Sequence, residues 1–481
     1  MSVTTIEQTP LYQTLVAGQE IIFAFSNTPI LISHTRVKFV IDVHISEGSP
    51  PVLSTGADKI ATFKITPNNS GVGMIDLSSI IEDYVSADNL AADGSSFKGD
   101  TTTDILSHPM HLIDKYSFSK YSARYMALRI TTEGVASGSN VVANVTGSGV
   151  SSVNYLITNG YLKDTDELRN RTTTAPANYF GFDMSGFFPT AGDSTIKFLT
   201  NAPDVQYANG DDYGTVAFLA RTFAQSQAAR KLILKYYSSD GSLLGSENIV
   251  RSVQNGSSYW GSNQGVDNTK NQFQYVGCFP GNLRNWSSTF KTKYDLGQMD
   301  GGKITLSLGS DGGGTVSTKT YTIQLNCPNL KGYESIRLCW LNQWGAWDYY
   351  TFTQKSTTKI STKGTTYDQL KGTWSSSYYK VGGYKGGKKA FRKNATESIT
   401  MNTGFVTEDN NIMFEELTNS PEVYILKGFE QVPSNTDTLN RYLTPVTLKT
   451  SSFTRKTIAN DRLLQYTFEV EKSRTLRTQS I

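Results

Sequence analysis

The sequence predicts a mainly β protein, with several β-sandwich-like domains in tandem and a few short helices. Three observations carry that expectation. Glycine and tyrosine are plentiful, at 41 and 26 residues, and charged residues make up only 18%, a mixture suited to strands and turns. Apolar and polar residues alternate with a period of two over short runs, as in strands with one buried face. Clusters of Asn, Asp, Gly and Pro separate those runs, so strands recur with turn chemistry between them, the pattern of sandwiches. A chain of 481 residues holds about three domains at the usual size. The expected spans are 1–155, 156–330 and 331–481, the last containing one short helix at about 407–419.

In "VKFVIDVHIS", Val37, Phe39, Ile41 and Val43 point one way and Lys38, Val40, Asp42 and His44 the other. That is a half-buried strand. "KIATFKITPNNSGVGMIDLSSIIEDYVS" reads as a strand, a turn and a short helix that Asp76 or Ser78 caps. "ARYMALRITTEG" is a further strand, and the Ser- and Gly-rich residues 137–152 form a long loop or hairpin tip. "TIKFLTNAPDVQYANGDDYGTVAFLAR" and "RKLILKYYSSDGSLLGSENIV" each read as a β-hairpin, with the strongest turn signal at Ser238-Ser239-Asp240-Gly241. In "GGKITLSLGSDGGGTVSTKTYTIQLNCP", Ile304, Leu306 and Leu308 alternate before a glycine-rich turn, and Tyr321, Ile323 and Leu325 after it.

"SIRLCWLNQWGAWDYYTFTQKS" raises a sharper question, because it crowds three tryptophans around one Asn-Gln-Trp-Gly turn. Ile336, Leu338 and Trp340 share a face of the incoming strand; Asp348, Tyr350 and Phe352 share one face of the outgoing strand, and Trp347 and Tyr349 take the other. Cross-strand aromatic pairs closing a core account for this. An exposed surface for a sugar or a neighbouring subunit does so too. Trp340, Trp344, Trp347, Asp348 and Tyr350 are therefore interface or ligand-stacking candidates. Toward the C-terminus, "FVTEDNNIMFEELTNSPEVYIL" carries the helix: Thr407 or Asp409 caps it, Met413, Phe414 and Leu417 form its apolar stripe, and Ser420-Pro421 stops it before a strand at 423–426. "RLLQYTFEVEKS" sets Leu464, Tyr466, Phe468 and Val470 against Leu463, Gln465, Thr467 and Glu469.

Reactive chemistry finds little support. Three cysteines, Cys278, Cys327 and Cys339, lack framework or metal-ligand spacing and read as buried small hydrophobes. The four histidines stand without a nucleophile motif, and Pro109 breaks any helix that would align His108 with His111. The glycines of "LGSDGGGTVST" lack the ending of a phosphate loop. Two carboxylates can serve a glycosidase from anywhere in a chain, and Glu415, Glu416 and Asp348 are the available ones, yet adjacent helical carboxylates diverge. No enzymatic activity, metal or cofactor is expected. The N-terminal "MSVTTIEQTPLYQ" lacks the pattern of a cleaved secretory signal, and no run is long enough for a spanning helix. Folding in a cytosol without membrane insertion is expected.

A net charge of +3 does not imply wholesale nucleic-acid binding, but the cations are unevenly placed. Residues 355–393 hold Lys355, Lys359, Lys363, Lys371, Lys380, Lys385, Lys388, Lys389, Arg392 and Lys393 against Asp368 alone, interleaved with Trp374, Tyr378, Tyr379, Tyr384 and Phe391. Such a segment docks an acidic neighbour, remains a solvated loop or tracks a nucleic-acid backbone. Lys380, Lys385, Lys388, Lys389, Arg392 and Lys393 mark its basic contact arm, and the glycines of "GGYKGGKKAFRK" suggest that the arm orders on contact.

Five stretches also carry a resemblance: "PLYQTLVAGQEIIFAFSNTPI…VKFVIDVHIS", "FKITPNNSGVGMIDLSSIIEDYV", "IKFLTNAP", "IRLCWLNQWGAWDYYTF" and "NNIMFEELTNSPEVYIL…PVTLKTSSFTRKTIANDRLLQYTFEVEKS". Together they resemble virion structural proteins encoded by tailed bacteriophages of marine and Bacteroidetes type. The likeness runs through most of the chain and is weakest over residues 205–331. It implies a subunit of a tail, baseplate or connector ring, assembled in the host bacterial cytoplasm, whose partners are copies of itself and other virion proteins. It transfers no catalytic residue. A carbohydrate-binding adhesin of the tail, with Trp344 and Trp347 stacking on a host surface glycan and Asp348 accepting its hydroxyls, is the alternative expectation.

Overall fold

The protein is represented by a computed structural model that describes residues 3–47, 49–54, 56–87, 116–118, 121–163, 166, 181–190, 192–219, 231–250, 253–254, 257–258, 273–309, 316, 318–326, 332–427, 443–456 and 464–476. His108, His111, Cys327, Leu463 and most of the glycine-rich turn after Gly309 lie outside the described residues. The architecture is mainly β, with several sheets and a few short helices. Two compact units form. The first comprises Met1–Pro328, Leu341–Asp348 and Gly428–Leu439; the second comprises Asn329–Trp340, Tyr349–Lys427 and Asn440–Ile481. Among the described residues no helix is long and apolar enough to cross a membrane.

In the first unit a seven-stranded sheet runs in the order Thr14–Gly18, Tyr155–Tyr161, Ala123–Ala136, His34–Ser46, Lys59–Ile65, and Val142–Asn144 and Val150–Ser151 fold back onto Ala123–Ala136. The alternation read at Val37 to Val43 sets its buried face: Phe39, Ile41 and Val43 are inaccessible to solvent, while Lys38 is exposed. His44, read on the open side with Lys38, is instead buried, as the strand is enclosed on both faces at its end. Ile41 stands opposite Ile130 and Val43 opposite Leu128 on the neighbouring strand, so adjacent strands bury the same side. A three-stranded sheet of Thr5–Gln8, Ile22–Ser26 and Val72–Asp76 covers that side. Edge-to-face pairs join the two sheets, Phe25 with Phe39 at 4.8 Å and Phe23 with Tyr155 at 5.6 Å. Both sheets contribute to one core, as a sandwich requires. The expected helix forms as Ser78–Ile81, but Leu77, not Asp76 or Ser78, stands at its N-cap without a side-chain cap bond; Asp76 accepts from the Ser78 amide at 3.0 Å from one position earlier.

The middle of the chain adds a five-stranded sheet in the order Val205–Ala208, Tyr321–Leu325, Lys303–Gly309, Lys231–Tyr237, Leu243–Val250. Lys231–Tyr237 and Leu243–Val250 form the expected hairpin, and Gly241 takes φ +87° in its turn, where Asp240 accepts from the Ser242 amide. Ile304, Leu306, Leu308 and Ile323 are wholly buried. The other expected hairpin does not form. Val205–Ala208 pairs in parallel with Tyr321–Leu325, whereas Thr215–Leu219 pairs with Phe273–Gly277 in a different sheet. Thr215–Leu219 is buried at every position, so it needs cover on both faces, which a two-stranded hairpin does not supply. Tyr116–Phe118 completes that second sheet by pairing with Phe273–Gly277, so the spans 1–155 and 156–330 share a sheet within one unit. Two helices unforeseen in the sequence follow, Pro280–Trp286 and Ser288–Asp295. Their signals are legible afterwards: Pro280 opens the first, and Ser287 caps the second by accepting from the Phe290 amide at 3.0 Å.

The second unit is organised by a seven-stranded sheet in the order Trp347–Phe352, Ile336–Leu341, Val423–Leu426, Leu443–Leu448, Thr467–Lys472, Gly387–Asn402, Thr357–Gln369. The helix spans Asn410–Asn419 with Asp409 at its N-cap position, and Ser420 ends it. Its stripe of Met413, Phe414 and Leu417 is buried, and Phe414 meets Tyr350, Phe468 and Tyr466 at 5.0, 5.4 and 5.5 Å. Phe414→Ala should therefore cost about 3–5 kcal/mol, and the half-exposed Ile412→Ala within about 0.5 kcal/mol. Denaturant unfolding of the two variants checks this; equal losses would contradict a helix anchored through Phe414.

Candidate interaction site

The tryptophan turn folds inward. Asn342 organises it: its side-chain oxygen accepts from the Trp344 and Ala346 amides, both at 3.0 Å, and its amide nitrogen donates to the Leu199 carbonyl at 2.9 Å. Trp344 donates from Nε1 to Asn201 at 3.1 Å, and its ring lies against Phe187 and Phe182 at 4.6 and 5.3 Å. Trp340, Trp344, Trp347 and Asp348 are buried, and Tyr350 is half-buried against Phe414 and Phe352. An open stacking surface at these five residues is thus corrected to interior packing, because each indole face is already covered by this chain. Asn201 lies 143 positions from Trp344, and no local pattern marks it or the two phenylalanines as its partners.

Two residues in this turn are under constraint. Gly345 has φ +74°, and a Cβ there would stand 2.0 Å from the Asn159 carbonyl oxygen. Asp348 accepts from the Thr200 hydroxyl at 2.6 Å, and burial pushes its carboxyl up to about 6 against that bond and one from Asn342. Neither it nor the other carboxylate candidates form an exposed acidic pair: Glu415 is ion-paired with Arg455, and Glu416 is buried.

The basic segment is the opposite case. Residues 355–393 are not a loop that awaits a partner: Thr357–Gln369 pairs with Gly387–Asn402 from Thr357 opposite Thr400 to Gln369 opposite Gly387. Gly386 and Gly387, at φ +103° and +76°, turn the chain into the returning strand, which explains these two glycines without invoking disorder. A second small hairpin, Gly372–Ser375 with Tyr378–Val381, forms the tip. The Tyr379 hydroxyl accepts from the Gly372 amide at 2.6 Å, and a Cβ on Gly372 would meet the Lys380 carbonyl at 2.3 Å. Tip and shaft together form a folded ribbon.

This ribbon leaves its side chains in solvent. Thr357–Gln369 is the edge strand, and every residue but Gln369 is exposed. Trp374, at 73%, is the only exposed tryptophan among the described residues. Leu370, Tyr378, Val381 and Tyr384, close to it in the chain, are exposed by 61–78%, and the register puts Val381 on the face of Trp374 and Tyr378 on the other. Large apolar side chains left exposed together on one segment make it the candidate interaction site. Lys380, Lys388, Lys389, Arg392 and Lys393 are exposed and Lys385 is half-exposed over the Tyr384 ring, 5.7 Å from its centre. Among the described residues none of the segment's ten cations pairs with a carboxylate. No carboxylate among the described residues neutralises their charge.

No family model matches the sequence, and no curated protein matches it. A solved structure of native alpha-2-macroglobulin from Escherichia coli, spanning domains MG0-NIE-MG1, is similar at 8% identity over 73% of this chain and 87% of that one, with a TM-score of 0.22. A TM-score of that size does not establish a shared fold.

Two outcomes are expected at the turn. Gly345→Ala should lose at least about 2 kcal/mol, since a left-handed backbone and a carbonyl clash coincide; an unchanged unfolding midpoint would show the turn to be loosely held. For Asp348, stability carried by the protonated form is complete below its unfolded value near 3.8 and is lost as pH rises through about 6. Asp348→Asn should match the parent at pH 4 and exceed it at pH 7.5 by up to about 3 kcal/mol. Parallel pH-dependent melts of both proteins decide it.

Proposed function

We propose that this chain is a structural subunit of a tailed-phage virion, a tail, baseplate or connector component that acts through contacts with copies of itself and other virion proteins. The exposed tip of the ribbon is the observation that carries the reading. Trp374, Tyr378 and Tyr384 are the residue types that dominate binding energy at protein interfaces, and here they stand uncovered, as do Leu370 and Val381 of the same segment. A projecting two-stranded ribbon with an apolar end reaches a neighbour without rearrangement of the sheet that bears it. The resemblance of five stretches of the sequence to tailed-phage virion proteins supplies the context, and assembly in the host cytoplasm follows from it.

The test uses the tip directly. In gradient-purified particles the chain should be detected at a fixed stoichiometry. The variant Trp374→Ser/Tyr384→Ser should fold as the parent does and be incorporated roughly 30-fold less, as befits the loss of an interface hot spot. A chain absent from purified particles, or a tip variant incorporated like the parent, would overturn the reading.

A further inference from the structure

The ribbon's two faces differ in charge, and the geometry points to a binding site for the phosphate backbone of duplex DNA on one of them. Side chains alternate along a strand and match across a pair. The register therefore puts Lys359 and Lys363 of one strand on the same face as Lys389 and Arg392 of the other. Ser361, Thr365, Tyr367, Asn394 and Thr396 lie between them, and the shaft carries no carboxylate on this side. The first acid on that face is Glu471, opposite Ser398 in the adjoining strand, and it is paired with Lys449. On the other face Lys388 stands directly opposite Asp368, and Lys393 shares its strand with Glu397, which is paired with Lys472. The shaft thus sets four cations and no acid on one face against two cations and two acids on the other. The positive charge is segregated, not merely abundant.

Charge alone would suit any polyanion; shape and residue type narrow the choice. The major groove of B-form DNA admits a two-stranded β-ribbon, whereas that of A-form RNA is too deep and narrow. Lysine is depleted in protein interfaces, while Lys and Arg with Ser, Thr and Asn between them are the usual donors to phosphate oxygens. Such contacts position a protein without reading sequence, so little sequence preference is expected. The rest of the chain reinforces the orientation. Of its 45 Lys and Arg and 42 Asp and Glu, residues 355–393 hold ten and one, which leaves 35 cations against 41 acids elsewhere. A duplex is attracted by the ribbon and repelled by the net charge of the remainder. The site does not depend on the virion reading, and it uses the shaft, not the apolar tip.

Fluorescence anisotropy of the full chain with a labelled 30-base-pair duplex tests it, at sodium chloride concentrations from 50 to 300 mM. Four phosphate contacts predict a slope of log affinity against log salt of about −3.6. Lys359→Glu/Lys363→Glu should weaken binding at 50 mM by roughly 100-fold, and Lys388→Glu/Lys393→Glu, with the same change in net charge, by no more than about fivefold. A duplex RNA of equal length should bind less tightly. Absence of binding at 50 mM, equal losses in the two double variants, or equal affinity for polyglutamate would each overturn the proposal, the last by favouring an acidic protein partner. A shaft variant that loses DNA while keeping incorporation into particles separates this site from the tip contact.

Discussion

A β-strand carries two obligations: its backbone donors and acceptors need partners, and its apolar side chains need cover. In the N-terminal part of the chain both are met at once. His34–Ser46 pairs on either edge, with Lys59–Ile65 and Ala123–Ala136, and its apolar side meets Phe25 from the smaller sheet through Phe39. The second unit meets the same demand with a helix, and Phe414 is the side chain through which that helix gathers Tyr350, Tyr466 and Phe468. Everything distinctive about the molecule follows from where cover is complete and where it stops.

The tryptophan turn is the place of greatest cover. Indoles offer large apolar faces and one donor each, and Trp344 has both uses filled, its ring by Phe182 and Phe187 and its Nε1 by Asn201. Asn342 makes this possible by satisfying two amides of a tight turn and tying the turn to Leu199. Burial has an electrostatic consequence for Asp348, which sits where an ionised carboxylate is poorly solvated. An aromatic-rich turn with a neighbouring acid resembles a sugar platform when read as a string, but its chemistry here is that of a core.

The ribbon is where cover ends. Its backbone pairing continues past the last neighbouring strand, so Thr357–Gln369 and the first part of Gly387–Asn402 bond only to each other. Free of a packing face, the segment carries residues a core would reject: lysines on both sides, hydroxyls between them, and aromatics at the tip. Lysine on an exposed edge also discourages indiscriminate strand pairing. One segment therefore combines two separated surfaces, an apolar tip and a cationic shaft face, each suited to a different kind of neighbour.

Local periodicity was legible in the sequence. The alternation around Phe39, around Ile304 and around Phe468, the Ser-Ser-Asp-Gly turn and the stripe of Met413, Phe414 and Leu417 all appear in the structure as read, because each depends on residues a few positions apart. Pro280 and the Ser287 cap were equally local but lie in a stretch with little apolar rhythm. Partner choice was not legible. Val205–Ala208 and Thr215–Leu219 look like one hairpin and belong to two sheets, and Trp344 and Trp374 are the same residue type with opposite exposure. A strand's identity is set by its own pattern, whereas its neighbours and the covering of its side chains depend on groups brought together from distant positions. Only the folded chain decides which aromatic is mortar and which is left exposed.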